Sequence, residues 1–128
     1  NFGRIINILS LLAKEPSAPM VLSATARAGV IAFAKSVSYE MAPHGITINN
    51  ICPGGVLTKR FQNLLNERAK KLEINVKDFY NERTSTVPLG RFANPQEIGD
   101  LAAFLSSEKS SFITGTSIIA DGGQGKSI

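Results

Sequence analysis

Three side chains stand at spacings that permit chemistry. Ser10 ends an Ile-rich run, Arg4-Ile5-Ile6-Asn7-Ile8-Leu9, and Ser23 and Arg27 stand four residues apart in the stretch that follows. Residues at i and i+4 share one helical face, so a helix opening at Ser23 points both side chains at one spot above the strand end. In open α/β sheets, ligands bind outside the carboxyl ends of the strands. A serine hydroxyl can orient a substrate oxygen, and a guanidinium can fork to paired hydroxyls. Neither moves a proton readily. Serine titrates too high for general acid or base work without a partner base, and arginine keeps its proton. The single histidine, His44, sits in the turn Pro43-His44-Gly45 and reads as a turn contact rather than that base.

The elements that must position these residues follow from periodicity. A strand is predicted over Gly3–Leu9, then a loop from Ser10 to Leu22 in which Pro16 and Pro19 break any continuing helix. A helix over Ser23–Met41 follows, with Ala24, Ala28, Ile31, Ala32 and Val37 as its apolar face. A second strand is predicted at Ile46–Cys52, so strand, helix and strand form a right-handed βαβ unit with parallel strands. Pro53-Gly54-Gly55 breaks the backbone at the ligand end and frees the main chain for a close approach. From Arg60 to Ile74, Phe61, Leu64, Leu65, Ala69 and Leu72 repeat at helical spacing opposite a charged face. A short helix is predicted over Val76–Glu82. The segment 57–87 is placed to act as a lid, or equally to be a packed surface helix pair. Asn94-Pro95-Gln96-Glu97 combines the signals of a helix start, and a last strand spans Thr116–Ala120. The run Gly122-Gly123-Gln124-Gly125 has no helix after it, so it is no dinucleotide fingerprint.

Composition narrows the classes. In 128 residues, 43% hydrophobic and 19% charged describe a folded globular chain rather than a disordered one. The net charge of +4 is concentrated between Lys59 and Asp78, where six basic residues face three acidic ones. That reads as a solvated helix face; no basic stripe interleaved with aromatics and no Cys/His pattern argues for nucleic acid or metal. No apolar run approaches the roughly 20 residues that span a bilayer, so no membrane partner is expected. The lone Cys52 excludes an internal disulfide, suits a cytoplasmic location and reads as a packing residue. The chain opens at Asn1 directly on a strand rather than a secretory leader. That strand is apolar on both faces, as in the covered middle of a parallel sheet. Residues 1–128 are therefore expected to be the C-terminal part of a larger α/β domain, with 1–56 as active-site core, 57–87 as lid and 88–128 as closing helix and strand.

In this order the pieces resemble the C-terminal half of a short-chain dehydrogenase/reductase, close to the ketoacyl-carrier-protein reductase branch. Asn7-Ile8-Leu9-Ser10 matches the strand ending in the family's catalytic serine, and Ala28-Gly29 follows its catalytic helix motif. His44-Gly45-Ile46-Thr47-Ile48-Asn49 with Pro53-Gly54 matches the next strand and loop. Pro88-Leu89-Gly90-Arg91, Pro95-Gln96-Glu97-Ile98, Thr114-Gly115 and Asp121-Gly122-Gly123 match the C-terminal signatures. The resemblance implies the C-terminal part of a Rossmann-like, doubly wound parallel sheet and an NAD or NADP cofactor. It also implies hydride transfer with a small carbonyl or alcohol substrate, and assembly as a homodimer or homotetramer. It places Ser10 on the catalytic serine. Ser23 falls where the family's tyrosine belongs, and Arg27 where its lysine belongs. Pro53, Gly54, Val56 and Thr58 fall on the loop that holds the nicotinamide carboxamide, with Arg27 toward the ribose and Phe61 and Leu64 as substrate lid. The family's Gly-rich phosphate loop and its site asparagine have no counterpart in these 128 residues.

The two replacements define two functions. In one, the complete protein is an oxidoreductase with an altered proton path through Ser10 and Ser23 or a water they hold. In the other, it is a catalytically silent relative serving as a nucleotide-binding or oligomerisation scaffold.

Overall fold

The computed structural model describes residues 2–127; residues 1 and 128, the ends of the expected 1–128 unit, lie outside them. Three parallel strands, β1 (Gly3–Ile8), β2 (Ile46–Pro53) and β3 (Ser117–Ala120), form one sheet in the order β1-β2-β3. The helices are α1 (Val21–Met41), α2 (Lys59–Lys71), α3 (Val76–Ser85) and α4 (Pro95–Ser106). Short 3-10 turns occupy Leu11–Ala13, Ala18–Met20, Ala42–His44 and Glu108–Ser110.

β2 is the spine. Every residue from Thr47 to Pro53 is buried, because β1 and β3 pair with its two edges. Its adjacent asparagines point to opposite faces, as strand geometry requires, and each meets partners. Asn50 accepts from Asn7 Nδ2 at 2.9 Å and donates to Ser117 Oγ at 2.9 Å, residues that stand opposite it in register on the two neighbours. Asn49 donates to the Ile113 carbonyl at 2.8 Å and accepts from the Thr116 N–H at 3.3 Å. Cys52 is fully buried in this strand, and burial pushes its thiol pKa up.

β1 is apolar on both faces, as its sequence indicates, and lies at an edge of the described sheet. It has a partner on one edge among the described residues, and Ile5 and Ile8 remain 47% and 55% exposed. A pattern of isoleucines reports what a strand can bury, whereas neighbours decide what it does bury.

α1 begins at Val21, two residues before Ser23. Pro19 lies in the turn Ala18–Met20 that leads straight into the helix; proline is tolerated in a first turn, where its missing N–H has no partner anyway. The buried face of α1 runs through Ala24, Ala34 and Ser38, while Ala28 and Ala32 are exposed. With so many small residues, the apolar stripe is too weak to fix the helix's rotation. Ala18–His44 is also long and apolar enough, by length and composition, to cross a membrane, which corrects the sequence reading that no apolar run approaches that length. Alternating small residues make it apolar without bulk, and it lies against β2 and the turn after β1.

α2 and α3 enclose a cluster of Leu65, Ala69, Phe79, Val87 and Phe92, with Leu57, Phe61 and Tyr80 packed against it. Phe92 is the hub. Its ring meets Phe61 and Tyr80 edge-on at centroid distances of 5.1 and 5.4 Å. α4 starts where its signals place it, with Glu97 returning to accept the Asn94 N–H at 2.8 Å.

Candidate active-site cleft

Ser10 leaves the end of β1 in extended backbone and caps the turn Leu11–Ala13, its Oγ accepting the Leu12 N–H at 3.2 Å. The bond uses a lone pair and leaves the hydroxyl proton free to donate. A cavity of about 560 Å³ opens beside it at the carboxyl end of the sheet. Ser10, Pro53 and Gly54 line it at the strand ends, Phe61 and Phe92 give it an aromatic side, and Arg83 and Thr86 reach it from the end of α3. The volume falls within the range of small-ligand sites.

Of the residues singled out from sequence, Ser10, Pro53, Gly54 and Phe61 share this cavity. Val56 lies on the adjoining stretch, bridged to Ala93. The bridge uses the Leu57 and Ala93 N–H groups, and the Val56 N–H has no partner among the described residues. Thr58 caps α2, its Oγ1 accepting the Phe61 N–H at 3.1 Å. Leu64 sits on α2 at 40% exposure and outside the lining.

Ser23 and Arg27 also lie outside that lining. They engage each other: the Arg27 guanidinium donates to Ser23 Oγ, and to the Ser23 carbonyl at 3.2 Å. One helical turn brings them together, as the i, i+4 spacing requires. A second, apolar hollow of about 440 Å³ lies beside them, between the turn after β1 and α1, lined by Leu12, Pro16, Val21 and Ala24. Tyr80 is taken up by Phe92, and Tyr39 by Lys35, whose ammonium sits 5.1 Å from its ring centroid. His44 ends the turn Ala42–His44, with Gly45 in left-handed backbone after it.

The glycines after β2 serve a different approach from the one their sequence suggests. A Cβ on Gly54 would lie 2.9 Å from Asp121 Cβ and 3.0 Å from its Cα, and one on Gly55 would lie 2.3 Å from Phe92 Cδ1. Their bareness lets the C-terminal segment and the aromatic hub close onto the strand end.

That segment is held by two carboxylates. Asp121 accepts the N–H groups of Gly123 and Gly125 at 2.9 and 2.5 Å. Glu15, on the loop after Ser10, accepts the Ser127 N–H at 2.6 Å and the N–H of Lys126. These backbone donors hold the Glu15 pKa below its ordinary value, against the opposing charge of Asp121. Gln124 and Lys126 thereby become a wall of the cavity. Asp121-Gly122 is a turn signal legible in sequence. Glu15 and Arg83 carry no such signal, since only the tertiary approach brings them to Ser10.

A family model described as enoyl-(acyl carrier protein) reductase matches residues 1–124. The NADPH-dependent reductase BacG of Bacillus subtilis is 42% identical over 127 residues, which cover 99% of this chain and 49% of that protein. The crystal structure of YwfH, described as an NADPH-dependent reductase involved in bacilysin biosynthesis, superposes with a TM-score of 0.91 at 42% identity, covering 99% and 48% of the two chains. A short-chain oxidoreductase of Pseudomonas aeruginosa, described as NADPH-bound with an atypical catalytic centre, superposes with a TM-score of 0.82 at 31% identity, covering 98% and 47%. The chain spans about half the length of the curated relatives it matches. With a parallel Rossmann-type sheet, a serine at the end of its first strand and a family match along nearly its whole length, the chain belongs to the short-chain dehydrogenase/reductase family.

Proposed function

We propose that this chain carries the reacting-site portion of an NAD(P)-dependent oxidoreductase that reduces a carbonyl or oxidises an alcohol at an atypical centre. The observation that carries this reading is the convergence of Ser10, Pro53, Gly54 and Phe61 on one cavity at the ligand end of a parallel sheet. The NADPH-dependent relatives support the cofactor class. The Pseudomonas aeruginosa relative supports a nicotinamide cofactor beside altered residues.

The residues present fit such a group. The unpartnered Val56 N–H and the Thr58 hydroxyl, which accepts one bond and keeps its own proton to donate, suit a carboxamide. Pro53 and Gly54 supply the backbone wall, and Arg27, which bonds Ser23 outside the cavity lining, is the cation that turns toward the ribose. A bound nicotinamide dinucleotide supplies or accepts the hydride. Ser10 donates its hydroxyl to the substrate oxygen, and the Leu12 N–H holds it in that orientation. Ser23 is too short to reach as a phenol would, so it holds a water, with Arg27 polarising its Oγ. Segment 57–87 acts as the lid through Phe61. The phosphate-binding part belongs to the portion of the longer relatives that this chain does not span. The complete protein acts in the cytoplasm as a homodimer or homotetramer.

Fluorescence titration of NADH and NADPH with the complete protein tests the reading. Saturable binding of either, with turnover lowered by Ser10→Ala, supports it; no binding of either overturns it. The Arg27–Ser23 bond favours a second reading, since it ties up the two replaced positions: a silent relative kept as a nucleotide-binding or oligomerisation scaffold. Cofactor binding without turnover, and a large gain of reductase activity on combining Ser23→Tyr with Arg27→Lys, would favour that one.

A further inference from the structure

The lining of the Ser10 cavity is chemically lopsided. Its apolar wall is the edge-on pair Phe61 and Phe92. Its charged groups are Arg83, Lys126 and Glu15. Glu15 is already satisfied by two backbone N–H groups of the C-terminal segment. The cations are not: among the described residues, the ion pair Arg91–Glu97 is elsewhere, and neither Arg83 nor Lys126 has a carboxylate partner. Arg83 lies in the last turn of α3, where Thr86 donates its hydroxyl to the Arg83 carbonyl at 3.0 Å and fixes the turn. A helix C-terminus repels an anion, so a guanidinium there is what makes the spot attractive to one. Arginine also presents a planar fork that matches a carboxylate in two hydrogen bonds.

We propose that the cleft takes a carbonyl substrate that bears both a bulky apolar group and a carboxylate, with Arg83 binding the carboxylate. The inference rests on the reductase reading above. Ser10 receives the carbonyl oxygen, Phe61 and Phe92 the apolar group, and Arg83 the acid. Lys126, also in the lining, adds charge without the fork geometry. The carboxylate fixes which way round the substrate lies, so that one carbon is presented for reduction.

The test uses 4-oxo-4-phenylbutanoate and its methyl ester, which differ in the charge alone at nearly constant shape. With the complete protein and NADPH, the acid is preferred over the ester in kcat/KM. Arg83→Gln lowers that preference by on the order of tenfold to a hundredfold, chiefly through KM. Arg83→Lys, which keeps the charge but not the fork, retains part of it. Lys109→Gln, on the turn Glu108–Ser110 away from the cavity, leaves the preference unchanged. An acid-to-ester ratio that Arg83→Gln does not alter overturns the inference and leaves the reductase reading standing. If neither compound is consumed, the reductase reading is judged by the cofactor titration above, and calorimetry decides the anion site by itself. Binding of the acid that Arg83→Gln abolishes supports it, and no binding, or binding indifferent to Arg83, overturns it.

Discussion

The floor and the roof of the cleft are built from different interactions. At the floor, β2 is locked between two neighbours by backbone bonds and by amide side chains that bridge all three strands. At the roof, α2 and α3 are held by aromatic rings meeting edge-on, with Phe92 at the centre. Hydrogen bonds are directional and fix atoms in place, while ring packing tolerates sliding. The division places Ser10 on the directionally bonded part and the aromatic side of the cavity on the packed part.

The sharpest way to break the comparison is to remove the hub. Phe92→Ala should destabilise the complete protein by about 3–5 kcal/mol, since it empties a buried ring site shared by three aromatics. Amide exchange should then quicken across 57–87 well before it does in β2. Uniform quickening in both regions would mean that floor and roof are one cooperative unit.

On the floor, Asn49→Ala should cost about 2–3 kcal/mol, because the Ile113 carbonyl and the Thr116 N–H both lose a buried partner. Urea unfolding measures it, and exchange should quicken across the β2–β3 pairing while 57–87 stays protected. The junction of the two regions is Gly55. Gly55→Ala puts a methyl 2.3 Å from Phe92 Cδ1, and displacing that ring should cost about 1–3 kcal/mol. It should also raise KM through the displaced wall.

How much of this was legible in sequence follows the same division. The start of α4 read well, because Asn94-Pro95…Glu97 reflects contacts a few residues apart, and β2 read well as an apolar run between turn residues. The rotation of α1 did not, because a stripe of alanines says little about which side faces a sheet, and Ala34 and Ser38 took the place of Ala28 and Ala32. The exposure of Ile5 and Ile8 was legible, because a strand apolar on both faces reads as the middle of a larger sheet and so as an open edge in these 128 residues. In the site, Ser10 and the Pro53-Gly54 turn were legible as strand-end residues. Glu15 meeting Ser127 across 112 positions was not, and neither was Arg83 on α3 lining the same cavity. The Ser23–Arg27 bond was implicit in their spacing, yet the spacing did not say that they would satisfy each other outside the lining of the Ser10 cavity.

The smallest expected effect concerns the junction between roof and closing helix, where Arg91 clamps Glu97 through two bonds of 2.8 Å. The guanidinium and the Asn94 N–H together hold the Glu97 carboxyl down to about 2, from an ordinary value of 4.5. A carboxylate with a depressed folded pKa is bound to fewer protons in the native state than in the unfolded one. Its contribution is therefore complete above about pH 4.5 and declines as pH falls toward about 2, where both states are protonated. Both side chains are nearly half exposed, so the effect is small and shrinks further in high salt. Comparing Tm of the native sequence with Glu97→Gln across this range should show a gap that is widest near neutral pH and closes on the acid side. A gap that persisted at about pH 2 would mean that the amide fails as a helix-start acceptor for the Asn94 N–H, not that a charge was lost. The roof would then be tied to α4 by capping geometry rather than by the ion pair.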